Sequence, residues 1–181
     1  NLHRANLTEA SFTGADLGSA DLSEANLYRA NLSKVKAEGA TFRSSNLRES
    51  NWQGANLSGA NFSRANLKKA DLSLALLTNT NFQNAQLQNA NLRNADLSLA
   101  DLRGANLSGT DLKGAKLAVP KPNQADQFLA NPLDIFKSDH LRGVNFNCAK
   151  NLNPNQINYI CKQGGIHEKC SGNKILSLIH I

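Results

Sequence analysis

Large apolar residues recur along the chain every five positions. Stepping by five from Leu2 to Leu117 visits twenty-four centres, and each is Leu, Phe or Trp except Ala37. Phe stands at Phe12, Phe42, Phe62 and Phe82, and Trp52 is the one Trp. Two residues before each later centre lies a small side chain, Ala in most units and Val35, Ser45, Ser50, Thr80 or Thr110 in the rest. Asn or Asp dominates between the two, so the unit reads A-(N/D)-L-x-x, as in ANLTEASFTGADLGSADLSEANLYRANL. A period of five fits neither the 3.6-residue repeat of an amphipathic helix nor the two-residue alternation of a plain strand. In a short extended stretch, residues two apart point the same way, which sends the centre and its Ala inward and the Asn or Asp outward. The two remaining positions are rich in Ser, Gly, Asn and charged residues, which is turn chemistry. An interior that takes one large and one small side chain per side predicts an all-β solenoid, its coils stabilised by stacking on their neighbours.

From Asn1 to about Ala118 these units resemble the pentapeptide repeat family. The resemblance implies a right-handed quadrilateral β-helix with four pentapeptides per coil. Residues 1–119 would then form about six coils, roughly 29 Å tall at about 4.8 Å per coil. Leu2, Leu22, Phe42, Phe62, Phe82 and Leu102 would stack as one interior column, read as packing rather than as a ligand slot. Ala37 is expected to leave a small void beneath Leu57. The Asn ladder, including Asn46, Asn51, Asn56, Asn61 and Asn66, is read as local hydrogen bonding at turns.

The rhythm stops over 120–140, a loop insertion holding three of the four prolines. Phe128, Leu129, Ile135 and Phe136 give it apolar surface, to dock on the tower or to bind a partner. Repeats resume over 141–152, with Leu141 and Phe146 as centres. Residues 153–181 form the last segment. Its NPNQINYICKQGG predicts a short helical cap with Asn153 as N-cap, Pro154 at the first helical position, Gln156 completing a capping box, and Gly164 and Gly165 ending it. The NLNPNQI stretch is similar to the NLTPEQI-like cap of cyanobacterial pentapeptide repeat proteins. The closing SLIHI resembles translated adapter read-through and is assigned no role.

Three departures from the pattern carry candidate chemistry. Leu74, Leu76, Leu99 and Val119 fall at outward or corner positions and predict an apolar patch that a loop or partner covers. Arg29, Arg43, Arg48, Arg64, Lys68 and Lys69 lie on two adjacent sides with a net positive charge, a candidate face for an anionic partner. Tyr28 is the one outward aromatic of the repeat, so base stacking has almost no platform and nucleic acid is a disfavoured partner. Cys161 and Cys170 could close a loop over the cap as a disulfide, join His167 at zinc, or stay free beside Cys148.

Composition narrows the function further. The 181 residues are 40% apolar and 19% charged, with a formal net charge of +6 and no Met. That fits one globular domain, with the opening NLHRANL falling partway into the pattern. No window holds eighteen consecutive apolar residues, and no GxSxG, HExxH or phosphate loop occurs. The reading is a non-enzymatic structural or protein-interaction module without cofactor, its partner an unidentified protein, with end-to-end pairing of two copies as an option. Family members that protect DNA gyrase by imitating duplex DNA supply an alternative, which the positive charge disfavours. If Cys161 and Cys170 pair, the compartment is the periplasm or the thylakoid lumen; otherwise it is the cytoplasm.

Overall fold

The computed structural model describes residues 1–117, 141 and 143–173. Parallel bridges join residues twenty apart, from Asn6 with Asn26 through to Asp96 with Lys116, so four pentapeptides return the chain to the same side. Each bridge is a single residue, and among the described residues no longer strand forms. The reason is the corner. A turn every five residues leaves too short an extended stretch on each side for a longer ladder.

The backbone of one unit explains its consensus. In Ala25–Arg29, Ala25 N–H donates to Leu22 C=O at 3.2 Å and closes the preceding turn. Asn26 N–H donates one coil down to Ala5 C=O at 2.9 Å, while Leu27 and Arg29 N–H donate one coil up to Asn46 and Arg48 C=O at 2.8 and 3.0 Å. Only Tyr28 N–H lacks a backbone acceptor, and the Asn26 Oδ1 supplies one at 3.3 Å. Buried or crowded backbone donors must be matched, so the position before the centre needs a short side chain ending in oxygen. The same bond recurs at Asp21 to Ser23, Asn61 to Ser63 and Asp101 to Arg103. Asn51, Asn56, Asn61 and Asn66 make it too, whereas the Asn46 Oδ1 has no partner among the described residues and its amide instead donates to Asn26 Oδ1 at 2.8 Å.

The corner imposes a second demand. Every fifth residue from Arg4 to Gly114 has a φ between 54° and 70°. Glycine and Asn adopt this left-handed conformation most readily, yet Arg, Glu, Lys and Leu are held there too by the two-sided ladder.

Centres and their small partners form one core that is completely closed to solvent from Leu22 through Leu67. Phe42, Phe62 and Phe82 stack with centroids 4.8 and 5.3 Å apart, and Trp52 meets Phe42 and Phe62 edge-on at 5.0 and 5.5 Å. The Trp52 Nε1–H donates to Ser50 Oγ at 2.7 Å, and Ser50 Oγ–H in turn donates to Leu47 C=O at 2.6 Å. A hydroxyl in place of Ala therefore satisfies the one indole donor of the interior. Ala37 and Val35 are both fully buried.

Beyond Lys116 the ladder skips. Asn106 pairs with Asn145 and Asp111 with Lys150, so the offset grows from twenty to thirty-nine. Residues 120–140, with the four apolar residues expected to dock, lie outside the described residues, as does the SLIHI end. Helix α1 runs Pro154–Lys162. Asn153 Oδ1 accepts from Gln156 N–H at 2.9 Å, and Gln156 Oε1 accepts from Asn153 N–H at 2.8 Å, the reciprocal box its sequence predicts. The chain then returns to the ladder, where Ile166 bridges Asn145, and a 3-10 helix over Glu168–Asn173 is the last described element.

Candidate functional site

The two corners between the first three sides carry about half of the charged residues of the repeat. In two of the columns there, charges of opposite sign stack. Glu9, Arg29, Glu49 and Lys69 occupy one corner in successive coils, with Arg29 Nε 2.9 Å from Glu49 and its NH1 3.9 Å from Glu9. On the preceding corner Arg4 lies 2.7 Å from Glu24. The Arg4 hydrogen bond holds the Glu24 carboxyl below its usual range, and the Arg29 hydrogen bond does the same for Glu49. Glu49 in return pushes the Arg29 pKa up. Arg103 grips Asp101 at 2.5 Å and lowers that carboxyl to about 2.

These pairs divide the six cations singled out from sequence. Arg29 is neutralised locally, and its guanidinium also lies 5.0 Å from the Tyr28 ring centre. Arg43, Arg48, Arg64, Lys68 and Lys69 have no ion-pair partner among the described residues. They fall in the third and fourth coils on the two corners that flank one side of the tower. The outward residues between those corners are Asn46 and Asn66. Arg48 lies 5.8 Å from the Tyr28 ring, so Tyr28 already faces two guanidinium groups.

The apolar exceptions cluster on the opposite side. Leu74, Leu76 and Leu99 are 55%, 48% and 47% exposed. Leu74 and Leu99 sit at corners with φ of 60° and 61°, where other units place Gly, Asn, Ser or a charged residue. Leu76 takes the place of the Asn or Asp, and has no oxygen to offer Thr78 N–H. Val119, expected to stack on Leu99, lies outside the described residues. One coil further along this side, Ser98, Ala115, Lys116 and Leu117 meet Asn153, Asn155, Gln156 and Tyr159 around a cavity of about 470 Å³.

The closing segment is tied down from two directions. Gln156 Nε2 donates to Leu112 and Ala115 C=O at 3.0 and 2.9 Å, near the end of the run of repeats over 1–117. Cys161 and Cys170 form a disulfide with Cα atoms 5.2 Å apart. That removes both thiolates from any zinc site, and His167 Nδ1 accepts from Lys169 N–H at 3.1 Å instead. Cys148 is free and exposed. At the other end Leu2, Leu7, Phe12 and Leu17 are only partly buried, and nothing among the described residues carries the pairing of two copies end to end. Among the described residues no helix is long and apolar enough to cross a membrane.

Sequence reasoning missed the second task of Gln156 and the pairing of Ile166. Neither has a periodic signal, since the first spans more than forty residues and the second breaks the twenty-residue offset. The candidate cationic face also included Arg29, which stacking at twenty residues pairs with Glu49.

A family model described as a pentapeptide repeat region matches residues 5–82, and one described as pentapeptide repeats matches 80–117. Together the two span well over half of the 181 residues. No curated protein matches. Among solved structures, HetL, a pentapeptide repeat protein involved in heterocyst differentiation regulation from the cyanobacterium Nostoc sp. strain PCC 7120, is 35% identical. That match covers 64% of this chain and 60% of HetL, with a TM-score of 0.23. A pentapeptide repeat protein of the Arabidopsis thaliana thylakoid lumen is 26% identical over 86% of this chain and 88% of its own, with a TM-score of 0.25. QnrB1, a plasmid-mediated fluoroquinolone resistance protein, is 17% identical over 98% of this chain and 87% of its own, with a TM-score of 0.41.

Proposed function

The chain belongs to the pentapeptide repeat family, and from that membership we propose that it is a non-enzymatic protein-interaction module working outside the cytoplasm. Pentapeptide repeat proteins form right-handed quadrilateral β-helices. In the proposed arrangement residues 1–117 make six such coils, and α1 plugs the open end. The two Gln156 bonds to Leu112 and Ala115 support the plug, since among the described residues the Ala115 carbonyl has no other donor, while the Leu112 carbonyl also accepts from Ala115 N–H. The disulfide between Cys161 and Cys170 supports an oxidising compartment, the periplasm or the thylakoid lumen.

The observation that carries the interaction role is the leucine face. Leu74, Leu76 and Leu99 expose large apolar side chains to solvent, two at corners of positive φ and one at the outward position where most units place Asn or Asp. Such residues are explained by a surface that covers them. The test is the triple substitution Leu74→Asn, Leu76→Asn and Leu99→Asn in the oxidised chain. The variant is expected to melt no lower than the wild type and to lose a partner that the wild type retains on cross-linking in the native host. An unchanged set of cross-linked proteins refutes the reading, and so does a large drop in stability, which would mean that the leucines are covered within the chain itself.

A further inference from the structure

The side opposite the leucines presents a different chemistry. Arg43 and Arg64 stand on one corner, Arg48, Lys68 and Lys69 on the next, and all five lie within two consecutive coils. Two coils span about 10 Å along the axis. The adjacent carboxylates offset them only in part: Glu24 feels Arg43 and Glu49 feels Lys69, but each makes its hydrogen-bonded ion pair elsewhere, with Arg4 and Arg29. Five cations crowded in this way repel one another and concentrate positive potential over the side between them. That side is floored by the carboxamides of Asn46 and Asn66, which are neutral and partly buried.

We propose that this side binds an extended acidic segment of a partner protein, laid along the tower axis between the two cationic corners. The proposal rests on the reading of the chain as an interaction module and names the chemistry of a second contact face. An extended peptide sends alternate side chains to opposite edges, so successive Glu or Asp residues reach the Arg43 and Arg64 corner and the Arg48, Lys68 and Lys69 corner in turn. Three of the five cations are Arg, whose planar fork meets a carboxylate through two parallel hydrogen bonds. Nucleic acid fits less well. A cationic block about 10 Å tall neutralises few phosphates of a duplex, and the ring of Tyr28 is already occupied by Arg29 and Arg48. A membrane surface fits less well too, because the corner residues among these cations, Ser44 and Ser63, offer no apolar side chain to insert.

The experiment is fluorescence anisotropy with the oxidised full chain and a labelled hexaglutamate peptide, with hexaglutamine as its neutral counterpart. Hexaglutamate is expected to bind and hexaglutamine not, with affinity falling several-fold from low to physiological salt. The double variant Arg48→Glu and Lys68→Glu is expected to weaken binding about tenfold or more. Lys36→Glu with Lys113→Glu changes net charge equally on the other sides and is expected to leave affinity within about twofold. Absence of hexaglutamate binding overturns the proposal. Equal losses in the two double variants do so as well, since net charge alone would then explain the affinity. Duplex DNA or anionic vesicles that displace the peptide at lower charge concentration, and lose that ability in the Arg48→Glu and Lys68→Glu variant, would replace the acidic segment as occupant. The leucine triple variant should bind hexaglutamate normally, so failure of one face is read separately from failure of the other.

Discussion

Phe62→Leu replaces an aromatic centre with the residue the repeat uses most often at that position. If the centres only filled space, the change would be nearly neutral. Phe62 however has three ring partners: Phe42 at 4.8 Å, Phe82 at 5.3 Å and Trp52 at 5.5 Å. Aromatic pairs contribute about 0.5 to 1.5 kcal/mol each beyond the area they bury, so the three sum to about 1.5 to 4.5 kcal/mol. Because they share one ring, they are not independent, and a loss of about 2 to 3 kcal/mol is expected. For a chain of this length that corresponds to a fall of roughly 5 to 10 °C in Tm. Trp52, the one Trp, touches the substituted ring, so its fluorescence reports the unfolding of the coils concerned. Phe12→Leu is the comparison, since Phe12 is half-buried and has no ring contact among the described residues; its cost should stay within about 1 kcal/mol. A Phe62→Leu chain that melts like the wild type, or no lower than Phe12→Leu, would refute the claim that ring geometry stabilises this interior. The double substitution with Phe42→Leu should cost less than the sum of the two single ones.

Gly109→Ala should destabilise more than Gly59→Ala in denaturant melts. Both corners have positive φ, but the Asn89 Oδ1 occupies the place a Cβ would take at Gly109, whereas nothing lies within 4 Å at Gly59. Adding Asn89→Ala should remove the difference. Asp101 is expected to contribute an acid transition. Its folded pKa is lowered to about 2 from the usual 3.8, so its contribution is complete above about pH 4 and fades as pH falls toward 2. With Arg103 largely solvated the effect is at most about 1 kcal/mol, read as the stability gap between wild type and Asp101→Asn vanishing at low pH. Reduction of the disulfide reopens a loop of about ten residues and should cost about 2 to 3 kcal/mol, seen as faster hydrogen exchange in α1 but not around Phe62.

Much of this molecule can be read along the chain because each side chain's role depends on its place in a five-residue unit. The inward Ala and Leu, the Asn that serves the following N–H, and the start of α1 at Asn153 are local facts with local signals. The contacts that escaped depend on coils far apart in sequence. Ser50 departs from Ala because Trp52 projects an N–H into the interior, which no unit viewed alone reveals. Arg29 looks like a free cation until Glu49 is stacked on it. Gln156 completes its helix cap locally, and only the folded end of the repeat shows where its amide nitrogen donates.

The stacked corner of Glu9, Arg29, Glu49 and Lys69 bears on how such a tower could lengthen. The core repeats every five residues, the bridge ladder every twenty, and this corner changes sign from coil to coil, so it repeats only every forty. Duplicating one coil would keep the packing and the ladder, yet would set like charge upon like along that edge. Duplicating two coils would preserve all three. Growth by pairs of coils is therefore the smoother route at this corner, and a tower extended by a single coil should carry a compensating charge change there.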